Sequence, residues 1–320
     1  MSNREQAISW LELLPEDHPI WSKLRSLREG GGRSTAMSLP PNLDLPLFVY
    51  GALKPGMPAY EQLADCVEGV SKDGVGGRLW VRDGLPLLHL NGYDWTGGFL
   101  LRWKIGRERE GYERVCKFEP RSHYEWSEVD LKKSECRANV LIIRHERRGN
   151  AEHHDDNTWN LQNDAAFGVG LDTVEKVLKE VDGMSRDNEF DTDLEGFFRS
   201  QMAYLLLWSI LERLSAFCFG PSEDPMRRIK RLHELPGMED LVEKHVTRSD
   251  TVSDSRDPVV LYKLDSSNAK KSFQYYYQVR SNLSHRGKGV FRDFRKVHES
   301  LRELLAITRD FLKGLPSVGE

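Results

Sequence analysis

Two short stretches of this chain carry residue types that do chemistry. The first, "RSNLSHRGKGVFRDF" (280–294), sets Arg280 and His285 five residues apart and follows them with Arg286, Lys288 and Arg292. Histidine titrates near neutrality and moves protons, and a guanidinium grips phosphate with a planar fork. RNA cleavage through the 2′-hydroxyl needs both: a proton acceptor and donor, and positive charge against the phosphorane. Asn282 is placed to orient the histidine or the phosphate, and Arg286, Lys288, Arg292, Arg295 and Lys296 make a phosphate-binding field. Between Arg280 and Arg309 eight Lys/Arg stand against three carboxylates, a local balance of +5 in a chain of formal net charge −4. Tyr275 to Tyr277, just upstream, suit either base stacking or a helix core.

The second stretch, "LFVYGALKPG" (47–56), is an apolar run broken at Gly51. A glycine there lets the chain turn sharply after a strand and offer consecutive backbone N–H groups to a carboxylate or a developing oxyanion. "HHDD" (153–156) has metal-ligand residue types, but adjacent ligands in one polar loop are ordinarily solvated, and neither a metal nor a cofactor is expected.

The positions of Arg280 and His285 raise a geometric problem. Five residues of ideal helix turn through roughly 500°, leaving the two about 140° apart around the axis. They cooperate if the helix ends near Ser284, which the following "RGKG" allows, or if two copies of the chain meet across an interface.

The elements that must position these residues fall into two kinds. From Leu47 to about Arg144 short apolar runs alternate with Gly, Pro and Asp/Asn signals, as strands do. Within them "REREGYERVCKFE" reads as a helix, with Tyr112, Val115 and Phe118 on one face. This pattern predicts an α+β domain with a barrel-like sheet. The polar segment after Arg144 reads as a surface loop or linker. From Leu171 the pattern is helical: "LEGFFRSQMAYLLLWSILERLSAFCF" is apolar nearly all round, the mark of a buried central helix, and the last helix carries Phe294, Val297, Leu301, Leu304, Leu305 and Phe311 on one face. Residues 1–28 read as two short helices around Pro15, and 29–46 as a Gly/Ser/Pro-rich linker. Four widely spaced cysteines without a CxxC pair suit free thiols in a reducing compartment. With no signal-peptide pattern and no apolar run of membrane-spanning length, the expected location is the cytoplasm, away from any membrane.

Two resemblances sharpen these readings. "LFVYGALKPGMPAY", "GGRLWVRDGLPLL" and "VCKFEPRSHYEWSEVDL", in that order, resemble the γ-glutamylcyclotransferase/AIG2-like family, whose opening signature is "YGTL" or "YGSL" followed by "KxG". The likeness covers about Leu45 to Arg144. It implies a γ-glutamylcyclotransferase-like β-barrel domain in which the turn of Tyr50, Gly51, Ala52 and Leu53 binds a γ-glutamyl group. It further implies Glu119, which follows an amphipathic segment and precedes Pro120, as the acid/base that closes the group to 5-oxoproline, a role a carboxyl can fill when burial raises its pKa, and Tyr124 as a cavity-lining residue. Ala52 stands where the family has Ser or Thr, which removes a hydroxyl and keeps the backbone donors. "YYYQVRSNLSHRGKGVFRDF" resembles the R-x(4–6)-H region of HEPN domains, especially their Apea-like branch, over about Leu194 to Leu315. That likeness implies an all-α helical bundle, a homodimer through it, and metal-independent ribonuclease chemistry by Arg280 and His285. Ser281 stands where the family often has Asn, Asp or His.

The sequence therefore predicts an N-terminal extension and linker (1–44), a γ-glutamylcyclotransferase-like domain (45–148), a linker with a first helix (149–193) and a HEPN-like domain (194–316). The leading expectation is an RNA endonuclease of toxin or defence type, joined to a regulatory or enzymatic γ-glutamylcyclotransferase-like domain. A γ-glutamyl cyclotransferase with a non-catalytic dimerising tail, and a sensor or scaffold with neither activity, are the alternatives.

Overall fold

A computed structural model of the chain describes residues 37–82, 84–119, 122–144, 151–161, 164–184, 194–220, 223–286 and 293–315, with backbone alone for His285 and Arg286. The helices expected within 1–28, the linker up to residue 36 and the "KG" of the basic turn lie outside the described residues. The first half runs β1 (Leu47–Val49), β2 (Val67–Gly76), β3 (Arg78–Arg82), β4 (Leu85–His89), β5 (Trp95–Trp103), α1 (Glu108–Phe118), β6 (Tyr124–Asp130), β7 (Arg137–Ile143) and β8 (Glu152–His153). The second half runs α2 (Leu171–Met184), α3 (Leu194–Phe219), α4 (Pro225–Lys230), α5 (Met238–His245), β9 (Thr251–Ser253), β10 (Leu261–Lys263), α6 (Ala269–Arg286) and α7 (Phe294–Gly314).

β1 is an unbroken apolar triplet because both its faces are covered, and all three side chains are buried. It lies at the centre of a five-stranded sheet of order β2-β5-β1-β7-β6, antiparallel to β5 and parallel to β7. Successive strand residues point to opposite faces. Leu47 and Val49 accordingly join a core with Tyr112, Val115 and Phe118 of α1. Phe48 joins a different core with Leu100, Val140 and residues of the helical half, including Trp208 and Leu211. The sheet is thus sandwiched between α1 and the helices. The three-residue spacing read along α1 is the face it buries: Tyr112, Val115 and Phe118 are all nearly inaccessible.

The molecule is mixed α and β, but among the described residues the sheet does not close into a barrel. β2 and β6 are its two edges, and β3 pairs with β4 and β8 in a separate three-stranded sheet. The departure occurs at Gly76-Gly77, where a Cβ on Gly77 would lie 2.9 Å from the His89 carbonyl oxygen, so only glycine lets the chain pass into the second sheet. The β6–β7 turn, rather than a strand, reaches back to β2. The Asp73 carboxylate accepts the N–H groups of Lys133 and Ser134, each at 3.0 Å, and the Lys132 N–H donates to the Gly74 carbonyl at 3.3 Å.

Three further expectations change. The stretch after Arg144 is more than a surface linker: β8 pairs with β3, and Trp159 is fully buried, its carbonyl accepting from the buried Lys54 ammonium. The C-terminal half is not purely helical, because Thr251–Ser253 and Leu261–Lys263, rich in β-branched and aromatic residues, pair as an antiparallel hairpin. Nor is α3 buried all round. It buries Phe197, Tyr204, Leu207, Trp208 and Leu211, yet exposes Leu194, Phe198, Met202 and Leu206 at steps of four. α3 is long and apolar enough to cross a bilayer by composition, with a mean hydropathy of 1.4 in its most apolar window, and 56% of that window is buried within the protein, as in a core helix. The α7 face read from the sequence is the buried one, Phe294 through Phe311. Because one core runs from Phe48 of the sheet to Phe311 of α7, residues 37–320 form one compact unit.

Candidate active site

The site is built from element ends. The Tyr50–Leu53 turn leaves the C-terminal end of the central strand, Glu119 caps the C-terminus of α1, Tyr124 opens β6, and Pro86 lies in β4. These ends enclose a cavity of about 200 Å³. Tyr50, Gly51, Ala52, Leu53, Glu119 and Tyr124, all singled out from the sequence, line it together.

Gly51 does its work by closeness rather than by handedness. A Cβ there would lie 2.9 Å from Cγ of Pro86, whereas the left-handed residue of this turn is Gly56, with φ 83°. The Lys54 N–H closes the turn on the Gly51 carbonyl at 3.2 Å. Among the described residues no hydrogen-bond acceptor engages the N–H groups of Gly51, Ala52 or Leu53. Residues 51–53, which line the cavity, thus have three consecutive backbone donors with no acceptor among the described residues.

The two phenols have fixed partners. The Tyr50 hydroxyl donates to the Leu141 carbonyl at 2.7 Å and accepts the Leu88 N–H at 3.2 Å. The Tyr124 hydroxyl donates to the Pro86 carbonyl at 3.0 Å. Burial raises both phenol pKa values above the ordinary range, so their protons stay in place. Glu119 differs. Its N–H bonds the Val115 carbonyl at 2.8 Å, but no described residue pairs with its carboxyl, and removal from water raises its pKa to about 8. A carboxyl with that pKa is populated in both protonation states near neutral pH.

The cavity has walls the sequence did not announce. His123 borders it directly before Tyr124, its Nδ1 2.9 Å from the Ser122 hydroxyl. Arg213, Ala216 and Phe217 come from α3, in the helical half. His123 was within reach, since it adjoins a residue already chosen. Arg213 gave no local signal, because more than 150 residues separate it from the Gly51 turn.

The other stretch is less gathered. α6 continues through Arg286, so the helix does not end near Ser284, and positions 280 and 285 stay about 140° apart around its axis. Arg280 pairs with Glu212 of α3 at 3.3 Å and lies 6.0 Å from the Tyr277 ring centre. Asn282 is occupied by the hairpin: its amide donates to the Ser253 carbonyl at 2.9 Å and accepts from the Ser255 N–H at 3.1 Å and the Gln278 amide at 2.8 Å. Arg295 pairs with Glu299, and Lys296 donates to the Thr251 carbonyl. Tyr275 and Tyr276 are fully buried, which removes them as base-stacking surfaces; Tyr277 packs edge-on against Trp208. The side chains of His285 and Arg286, and all of Lys288 and Arg292, lie outside the described residues.

In the "HHDD" segment Nδ1 of His153 meets Asp155 at 3.0 Å and Nε2 of His154 meets the Thr158 carbonyl at 3.1 Å. Asp65, Cys66 and Glu110 do cluster among the described residues, but Arg107 and Arg114 pair with both carboxylates, and Arg114 above all holds Asp65 down to about 2.

Comparison with protein families gave no match, and comparison with curated proteins gave none. Among solved structures, the chain is similar to the uncharacterized protein PH0828 from Pyrococcus horikoshii, with 20% identity, a TM-score of 0.27, and coverage of 34% of this chain and 86% of that one.

Proposed function

We propose that the protein is a cyclotransferase that releases 5-oxoproline from a small γ-glutamyl compound, with Glu119 as its proton-transfer residue. The observation that carries this reading is that one cavity of single-metabolite size is lined both by Glu119, a carboxyl of raised pKa with no partner among the described residues, and by Gly51, Ala52 and Leu53, whose backbone N–H groups have no described acceptor. In the reaction the substrate's α-nitrogen attacks its γ-carbonyl carbon. A new C–N bond closes the five-membered ring, and the old C–N bond to the leaving amine breaks. The Glu119 carboxylate takes the proton released by the attacking nitrogen and passes it to the leaving nitrogen, which regenerates the carboxylate. The turn N–H groups of Gly51, Ala52 and Leu53 stabilise negative charge on the carbonyl oxygen. Tyr50 and Tyr124, whose protons are committed to carbonyls, shape the cavity and hold the strands around it. The absent hydroxyl at Ala52 is tolerated because the donors belong to the backbone.

The end of α6 supports no second reading of equal weight. Arg280 is paired with Glu212, and Asn282 is committed to the hairpin.

The test is to incubate purified protein with a panel of γ-glutamyl amino acids and γ-glutamylamines and to measure 5-oxoproline by mass spectrometry. Glu119→Gln is expected to lower kcat/KM by about 100-fold or more while retaining the wild-type circular dichroism. Equal turnover by wild type and a folded Glu119→Gln variant would remove Glu119 from the chemistry.

A further inference from the structure

The cavity has one wall that belongs to the helical half, and that wall carries its sole Arg or Lys among the described residues. Arg213 is about two-thirds buried, with 29% of its side chain exposed, and three neighbours fix its orientation. Its Nε donates to Oδ2 of Asp164, a carboxylate only 2% exposed whose Oδ1 accepts the Ala166 N–H at 2.9 Å. The Phe217 ring lies 5.8 Å from the guanidinium carbon, and a Cβ on Gly84, at φ 73°, would overlap the guanidinium. Asp164 meets the inner edge of the group and Phe217 a face, while Gly84 lies against Nη2 without offering it a hydrogen-bond acceptor. The terminal nitrogens Nη1 and Nη2 have no hydrogen-bond acceptor among the described residues.

We propose that Arg213 is the carboxylate anchor of this cavity, so that its substrate is an anionic acyl amino acid and α3 supplies part of the specificity of the active site. A guanidinium held through Nε presents its two outer nitrogens as a fork, and a carboxylate fits that fork with two parallel hydrogen bonds. Asp164 sets the fork's direction without occupying it. The proposal rests on the cyclotransferase reading for its substrate class, but the binding of a carboxylate can be measured without any turnover.

The first experiment is calorimetric titration of the full chain with glutarate and with its uncharged counterpart glutaramide. Wild type is expected to bind glutarate at least about 10-fold more tightly. Arg213→Gln, and Arg213→Gln combined with Asp164→Asn so that no buried carboxylate is left unpaired, should lose that preference. The double variant keeps the test decisive if the single one unfolds. Absence of a preference in wild type, or its persistence in a folded double variant, overturns the proposal whether or not 5-oxoproline is ever formed. Kinetics with γ-glutamylalanine and γ-glutamylethylamine then locate the anchored group. A KM increase confined to γ-glutamylalanine places it on the leaving amino acid, and an equal increase for both places it on the glutamyl α-carboxylate. An unchanged KM for both also refutes the proposal.

Discussion

At the scale of single residues the proposed chemistry turns on Glu119, and the burial that would suit it to proton transfer also burdens the fold. Its carboxyl titrates from an ordinary value of 4.5 when unfolded to about 8 when folded. Between those values the folded chain keeps a proton that the unfolded chain gives up. Stability is therefore complete below about pH 4.5 and declines as pH rises toward 8, by a few kcal/mol on the order of 1.4 per pH unit. Glu119→Gln should accordingly melt at a higher temperature than wild type at pH 9, with the difference vanishing near pH 4.5; scanning fluorimetry across that range would show it. Activity should follow the opposite course. The carboxylate is the form that accepts a proton, so kcat/KM is expected to rise with pH through about 8, a limb that Glu119→Gln would lack. A profile without that limb would mean that another group, His123 being nearest in sequence, receives the proton.

At the scale of elements the Gly51 turn at the cavity depends on what lies against it. Gly51 is pressed on Pro86 of β4, so Gly51→Ala forces the two apart and should cost about 1–3 kcal/mol, together with a raised KM as the turn donors shift. The behaviour to check is chemical denaturation alongside steady-state kinetics; a variant with wild-type stability would show that β4 yields freely. Lys54, three residues on, reaches a different element. Its buried ammonium holds the carbonyl of Trp159, and Lys54→Ala removes both that bond and its packing, at about 2–4 kcal/mol. Hydrogen exchange should then accelerate across residues 151–161 more than in α7. Uniform acceleration would instead mean that this segment opens only with the whole fold.

At the scale of the whole molecule the two halves share one core. Phe48, Leu100 and Val140 face the helices, and Arg213 and Phe217 of α3 complete the cavity. A chain ending at residue 165 would expose that face of the sheet and lack the α3 wall. It is expected to aggregate or to expose dye-binding apolar surface, and to lose ligand binding, whereas the full chain should unfold in one transition. Independent, soluble folding of that shortened chain would show that the shared core is dispensable.

Local signals were enough wherever one element decided the outcome. The step of three along α1, the unbroken apolar run of β1, the buried face of α7 and the Gly51 turn were all legible, because periodicity and residue type act over a few residues; Glu119 was pointed to only by the family resemblance. The open sheet, the β9–β10 hairpin, the burial of Trp159 and the commitment of Asn282 were not, since each depends on partners far along the chain. Gly51 shows the boundary within a single residue. Its identity pointed to a special position, but the reason, a contact with Pro86, emerged only in space. The same holds for the site. The resemblance of residues 45–144 to a known family suggested a carboxyl and a glycine turn as partners, without showing that they face one cavity. Only the tertiary structure decided that a helix from the other half closes their cavity and sets an arginine in its wall, because packing between elements distant in sequence leaves no periodic trace in either one.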